Sequence, residues 1–249
     1  MNAQQVVQQF KEKYAHTKRE AVAIEVVKGE ATRWQSKFGG EPYWPISKPY
    51  PQTKEGEPLL LLAQFVLADL PHLPVDFPKT GILQFFIASD DVYGCEFGEH
   101  IQDGYRVVYH EDVEANLLED VPSNLAINEY EFPFKQQYAL RFELQQELIS
   151  LSDHRMIDDY DDMDDATWDI LHDHFIATGH KLGGYPFFTQ CDPRAHMDHL
   201  KEYELLFQLD SDMDHDIMWG DVGVGNFFIH PTDLKNKDFT KVLYTWDCH

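Results

Sequence analysis

Five aspartates fall within one short stretch of the chain, Asp210-Ser211-Asp212-Met213-Asp214-His215-Asp216 and then Asp221 after Trp219-Gly220. Alternating carboxylates in a loop offer hard oxygen ligands to a single Ca²⁺ or Mg²⁺, and the EF-hand loop uses positions 1, 3, 5, 7, 9 and 12 in this way. With Asp210 as position 1, Asp212, Asp214 and Asp216 fall on 3, 5 and 7 and Asp221 on 12. Position 6 is His215 rather than Gly, position 12 is not the bidentate Glu, and no helix pair is expected on the two sides. The loop is therefore not an EF-hand. Two readings stand: a weak divalent-cation site on Asp210, Asp212 and Asp221, or a solvated acidic turn after a strand.

Gln64 and Gln208 each close an apolar run, Leu61-Leu62-Ala63-Gln64 and Leu205-Leu206-Phe207-Gln208. A buried amide left unpaired costs about 1–3 kcal/mol, so each must find partners. One reading has each Gln pinning the nearby Gly-Gly-x-Pro turn, at Gly40 and Gly184, through backbone bonds; the other has it presenting its amide to a ligand between the copies. Trp219, between the aspartates, is a further structural or ligand candidate. His196-Met197-Asp198-His199 and His172-Asp173-His174 have transition-metal ligands at short spacing, a pattern more common as polar surface. No Gly-x-Ser-x-Gly, Walker loop or Cys-x-x-Cys occurs, and carboxylates are too plentiful to single out an acid and a base.

The elements that must hold these residues come in two copies. Ser36-Lys37-Phe38-Gly39-Gly40-Glu41-Pro42 returns as His180-Lys181-Leu182-Gly183-Gly184-Tyr185-Pro186, an offset of 144 (184 − 40), and the two glutamines keep the same offset (208 − 64). After a two-residue deletion, Gly81-Ile82-Leu83-Gln84-Phe85-Phe86-Ile87 answers to Gly223-Val224-Gly225-Asn226-Phe227-Phe228-Ile229, and each copy closes on a similar strand, Arg106-Val107-Val108-Tyr109 and Lys241-Val242-Leu243-Tyr244. Chance does not preserve such spacing over four segments. The expected fold is mainly β (α+β): an internally duplicated β roll or partial barrel, with one domain over 1–249 made of pseudo-repeats at about 30–112 and 178–249. Val6, Val7, Phe10 and Tyr14 predict an N-terminal helix lying as a lid over one sheet, followed by a strand in Ala21–Val27. Tyr138 to Leu144 alternates as a strand of the same sheet system.

An acidic linker at about 153–178 joins the copies. Within it Asp164 or Asp165 is expected to cap a helix with Trp168, Leu171, Phe175 and Ile176 as its buried stripe and Gly179 as its stop.

The chain has 249 residues, 43% of them apolar, enough for a sizeable core. No apolar run approaches the roughly 20 residues that cross a bilayer, and the polar start is unlike a signal sequence. A cytoplasmic location is expected, and Cys95, Cys191 and Cys248 are expected to be reduced thiols. The balance of 44 Asp and Glu against 20 Lys and Arg, a formal charge of −24, disfavours nucleic acid and anionic membranes. It suits solubility, or capture of a basic protein or a divalent cation.

The motifs Ser36 to Gly40, Leu62-Ala63-Gln64, Gly81 to Ile87 and Met218-Trp219-Gly220-Asp221, with Trp246-Asp247-Cys248 at the end, resemble the YwqG-like family of bacterial proteins from about residue 30 onward. The resemblance implies a mainly β, roll-like, internally duplicated fold. It implies no settled activity, since that family is a domain of unknown function; its relatives are associated with toxin and immunity neighbourhoods. The leading expectation is an acidic, non-catalytic cytoplasmic module that binds a basic protein. The alternative is a Ca²⁺ or Mg²⁺ protein, or a metal-dependent enzyme, centred on Asp210, Asp212 and Asp221.

Overall fold

Each half of the chain repeats a meander whose strands are apolar on both faces, the pattern of strands covered on both sides. The computed structural model describes residues 2–27, 29–71, 76–96, 102–126, 131–157, 159 and 163–249. Among these, ten strands form one antiparallel sheet: β1 (Arg19–Val27), β2 (Lys37–Phe38), β3 (Leu60–Val66), β4 (Ile82–Ile87), β5 (Tyr105–His110), β6 (Tyr138–Glu147), β7 (His180–Gly183), β8 (Glu204–Asp210), β9 (Val224–Ile229) and β10 (Leu243–Asp247). Their order is β10-β9-β8-β7-β1-β6-β2-β3-β4-β5. The sheet curls into a nearly closed barrel, and its two end strands meet where the Tyr105 hydroxyl donates to Val242 O at 2.7 Å.

The halves correspond strand by strand. Lys37 pairs with Gln64 and Lys181 with Gln208. A bulge breaks the register between Leu61 and Ala63, and its counterpart lies between Leu205 and Phe207, again 144 residues on. β1 and β6 extend the correspondence beyond the repeat visible in sequence. Ala23 lies opposite Lys181, and Ala139 lies opposite Lys37, so β1 maps onto β6 with an offset of 116 (139 − 23). The leading strands are exchanged: β1 pairs with β7 of the later copy, and β6 with β2 of the earlier one. The copies are interlocked through their backbone hydrogen bonds.

The final strand corrects the sequence alignment. Phe85 lies opposite Val107, whereas its counterpart Phe227 lies opposite Tyr244. Val107 is therefore the equivalent of Tyr244, and Tyr109 is not. A slip of two residues keeps the same side chains on the same face, so the alternating pattern alone could not detect it.

Phe85 and Phe227 meet in the main core with ring centroids 4.9 Å apart, and Phe85 also lies 4.8 Å from Phe207. The alternate residues Phe86 and Phe228 turn to the opposite face, into smaller clusters with Trp44 and with Phe188. The N-terminal helix α1 (Ala3–Lys13) is capped by Asn2, and the linker helix α2 (Asp165–Phe175) by Asp164, whose side chain accepts the Thr167 N–H at 3.0 Å. Phe10 and Phe175 stack at 4.3 Å, so α1 packs on α2 rather than lying flat as a lid over a sheet face. Leu171 and Phe175 form the buried stripe of α2, with Trp168 and Ile176 half-buried. The left-handed residue beyond the helix is Ala177, at φ 52°, two positions before the expected stop at Gly179. A short helix α3 (Pro231–Lys235) follows β9. Asp158, Asp161 and Asp162 of the acidic linker lie outside the described residues. No helix among the described residues is long and apolar enough to cross a membrane.

Candidate functional site

The twin glutamines are fully buried and bonded alike. Gln64 Oε1 accepts the Tyr43 N–H at 2.8 Å, and its Nε2 donates to Arg33 O at 3.0 Å and Gln35 O at 2.9 Å. Gln208 Oε1 accepts the Phe187 N–H at 2.8 Å, and its Nε2 donates to Ala177 O at 3.0 Å and Gly179 O at 2.8 Å. Every partner is the counterpart of the other at offset 144. Each amide joins the segment before its Gly-Gly turn to the segment after it, and both of its N–H donors are taken by backbone carbonyls. Gly40 and Gly184 take φ of 72° and 75° in those turns, a region that favours glycine.

The next layer differs between copies. Gln84 donates from Nε2 to Tyr43 O at 2.7 Å and to Gln64 Oε1 at 2.8 Å, while its Oε1 lies 2.9 Å from His110 Nε2. Burial, with Lys48 adding its charge, pushes the His110 pKa down to about 4, so the ring is neutral at pH 7 and donates from Nε2. The shorter Asn226 keeps the bond to Phe187 O at 2.8 Å, but its buried Oδ1 has no partner.

Asp210, Asp212 and Asp221 do not converge. Asp210 is buried and accepts the Gly179 N–H at 2.7 Å and the Ser211 N–H at 2.9 Å, so it ties β8 to the turn before β7. Burial raises its pKa, opposed by those amides and by His180. Asp212 caps the next turn by accepting the Asp214 N–H at 3.0 Å, and its Oδ2 lies 2.7 Å from His215 Nδ1 and 3.6 Å from His180 Nε2. The His180 bond holds its carboxyl well below the usual range, against burial and with help from His215. Asp221 is exposed, and its carbonyl accepts the His249 N–H at 3.1 Å. Among the described residues no three His, Cys, Asp or Glu side chains are grouped to hold a metal ion, the His172 and His196 pairs included. Oxygen ligands at alternate loop positions serve one cation only when the loop coils around it. Here the Asp212 to Ile217 bridge folds the loop back on itself, and Asp216 is left-handed at φ 52°.

The fold-back does something else. It places Met213 at the tip, 73% exposed, beside a groove of about 750 Å³ lined by Tyr93, Phe132, Phe134, Met213, Met218 and Asp216. Three separate parts of the chain build it, held by the Met218 N–H donating to Pro133 O at 2.8 Å and by the Tyr138 hydroxyl on His215 O. Trp219 lies beneath, fully buried, with its ring 5.3 Å from Tyr93, and it supports the groove without lining it. Asp216 lines it, the exposed Asp214 and Asp221 follow the lining residues Met213 and Gly220 in sequence, and among the described residues Lys135 is the one cation in its wall. Phe132 and Phe134 are not among the site residues expected from sequence. The available signal was Met213, an apolar side chain within a run of aspartates.

Comparison with curated proteins gives no match. A family model described as a domain of unknown function, DUF1963, matches residues 36–248, from the turn that enters β2 to the end of β10. Over that span the chain belongs to the DUF1963 family.

Proposed function

We propose that this chain is a non-catalytic binding module that holds a basic partner protein at the Met213 groove. The observation that carries the reading is the exposed Met213 beside an apolar groove lined also by Asp216, with the exposed Asp214 and Asp221 next in sequence to its lining residues. Methionine is adaptable and recurs on binding surfaces, and an exposed apolar patch rimmed by charge favours a partner of opposite charge. An apolar side chain of the partner enters between Phe132, Phe134 and Met218, and its neighbouring Lys or Arg residues meet the aspartates. The formal charge of −24 supports the same sign of partner at longer range. With this goes the finer assignment to cytoplasmic YwqG-like proteins, on the motifs at Ser36–Gly40 and Met218–Asp221.

The test is anisotropy of a labelled peptide alternating Lys and Leu, beside a Lys and Ser peptide of equal charge. The reading expects saturable binding of the first, at least about tenfold weaker for the second and for Met213→Asp, since losing one buried apolar anchor removes about 1.5–3 kcal/mol. Equal binding of both peptides, or indifference to Met213→Asp, refutes it.

A further inference from the structure

The two copies treat one buried lysine differently. Lys37 and Lys181 are counterparts, each opposite its own copy's glutamine. Lys181 donates to Glu147 Oε1 at 2.8 Å, and the other oxygen of that carboxylate accepts the Tyr185 N–H at 2.8 Å. One carboxylate thus bridges the lysine ammonium and the amide of the Gly-Gly turn.

The first copy keeps both donors and lacks the carboxylate. Lys37 is 1% exposed, and the Glu41 N–H stands where the Tyr185 N–H stands in the second copy. A Cβ at Gly184 would run into Glu147 Oε2, and a Cβ at Gly40 would run into Gln137 Oε1, so a neutral amide approaches the first turn as the charged group approaches the second. Gln137 Nε2 donates to Ala31 O at 3.3 Å, and its Oε1 takes neither donor. Among the described residues Lys37 makes no ion pair and bonds only to Glu41 O, and the Glu41 N–H has no acceptor. A buried ammonium without a counter-charge is costly, and its three donors leave room for further acceptors. Burial pushes the Lys37 pKa down to about 8, with Arg33 adding to the effect and Glu41 opposing it.

Beside Lys37 lies a cavity of about 770 Å³ whose walls include Arg33, Trp34, Lys135 and Gln137, with the acids Glu30 and Glu41. Among the described residues of its wall, counting Lys37, three cations stand with two carboxylates, in a chain where acidic residues outnumber basic ones 44 to 20. Arg33 is fixed by donating to Pro42 O at 2.9 Å and Leu118 O at 2.7 Å, so its charge is held at the wall. The volume is that of a small-molecule site, and an exposed indole offers a flat apolar surface within it.

We propose that the first copy binds a carboxylate-bearing ligand at Lys37. Its carboxylate takes the role that Glu147 fills in the second copy, and its remainder lies in the cavity against Trp34. The chemistry is shared by a free carboxylic acid and by an acidic side chain of a polypeptide, and the choice of probe separates them.

The experiment titrates the full chain with benzoate and with an acetylated, amidated glutamate tripeptide by calorimetry, using benzamide and chloride as controls. The proposal expects saturable binding of at least one carboxylate, none of benzamide, and benzoate ahead if the natural ligand is a small acid. Lys37→Met is expected to weaken binding by about 10–100-fold, the worth of a hydrogen bond to a charged group. Gln137→Glu supplies the missing carboxylate internally and is expected to abolish binding while raising the melting temperature. Absence of saturable binding in the parent chain, or binding unchanged in a folded Lys37→Met or Gln137→Glu chain, overturns the proposal. Should Lys37→Met fail to fold, Gln137→Glu alone decides.

Discussion

Glu25 and Arg141 face each other across β1 and β6, with Arg141 Nη1 3.1 Å from Glu25 Oε2, at the centre of the internal symmetry. The register places Ala23 opposite Glu143 and Val27 opposite Ala139, so residues equally far from this pair are partners, and β1 becomes β6 on rotation about it. Both side chains are largely exposed, at 70% and 62%. The pair marks the axis and contributes little energy, since exposed ion pairs are worth about 0–1 kcal/mol. Glu25→Gln should therefore shift a urea midpoint by less than about 1 kcal/mol equivalent, and a larger loss would mean that the axis depends on this contact.

The twin glutamines should behave in the opposite way. Gln64→Leu leaves the Tyr43 N–H and the Gln84 amide, both in buried bonds, and the part-buried carbonyls of Arg33 and Gln35 without their partner. Orphaned buried groups cost about 1–3 kcal/mol each, so denaturant titration should show a loss at or above that range. A neutral substitution would mean that water replaces the amide. Gln208→Leu should cost less, because Asn226 makes no bond to Gln208 comparable to that of Gln84 to Gln64.

This difference shows how far the sequence was legible. The offset of 144 discloses the turns and the first two strand pairs, and it falls to 142 at the third, because the strands are short and their punctuation is rigid; the fourth pair is visible in sequence only to within two residues. It did not disclose β1 and β6, because the β6 to β7 connection carries α2 whereas β1 runs to β2 through a short link, which changes the offset to 116. The acidic loop was legible as a loop, but its ligand arrangement was not, since alternation in sequence fixes composition and the Asp212 to Ile217 bridge fixes direction. Lys37 and Lys181 look identical in sequence; Glu147 and Gln137, which set them apart, sit on β6 and just before it.

Acid should find a weak point away from the groove. Asp153 is buried beside Arg155 and Arg194, with Arg155 Nε 2.7 Å from its Oδ1 and Arg194 Nη2 3.1 Å from its Oδ2. Burial alone would raise its pKa, but the Arg155 bond and the charge of Arg194 outweigh it and hold the carboxyl at about 2. A carboxylate depressed in the folded state adds stability that is fully present above its unfolded pKa of about 4 and is lost as pH falls through about 2. Melting curves should fall between pH 4 and pH 2, and Asp153→Asn should flatten that part of the profile while lowering stability at pH 7. A buried arginine deprived of a partner typically costs about 3–5 kcal/mol. An unchanged acid limb in the variant would place the acid-labile group elsewhere.

The binding account is tested most directly by the association rate of the Lys and Leu peptide in stopped flow, across ionic strength, for the parent and for the Asp214→Asn, Asp216→Asn, Asp221→Asn triple variant. Exposed charges are screened beyond a Debye length of about 8 Å near physiological salt, so steering appears in the on-rate and fades as salt rises. The account predicts a parent on-rate that falls steeply with salt, a triple variant that is slower at low salt with a shallower slope, and dissociation rates that differ much less. An on-rate independent of salt, or the same slope in both proteins, would contradict it.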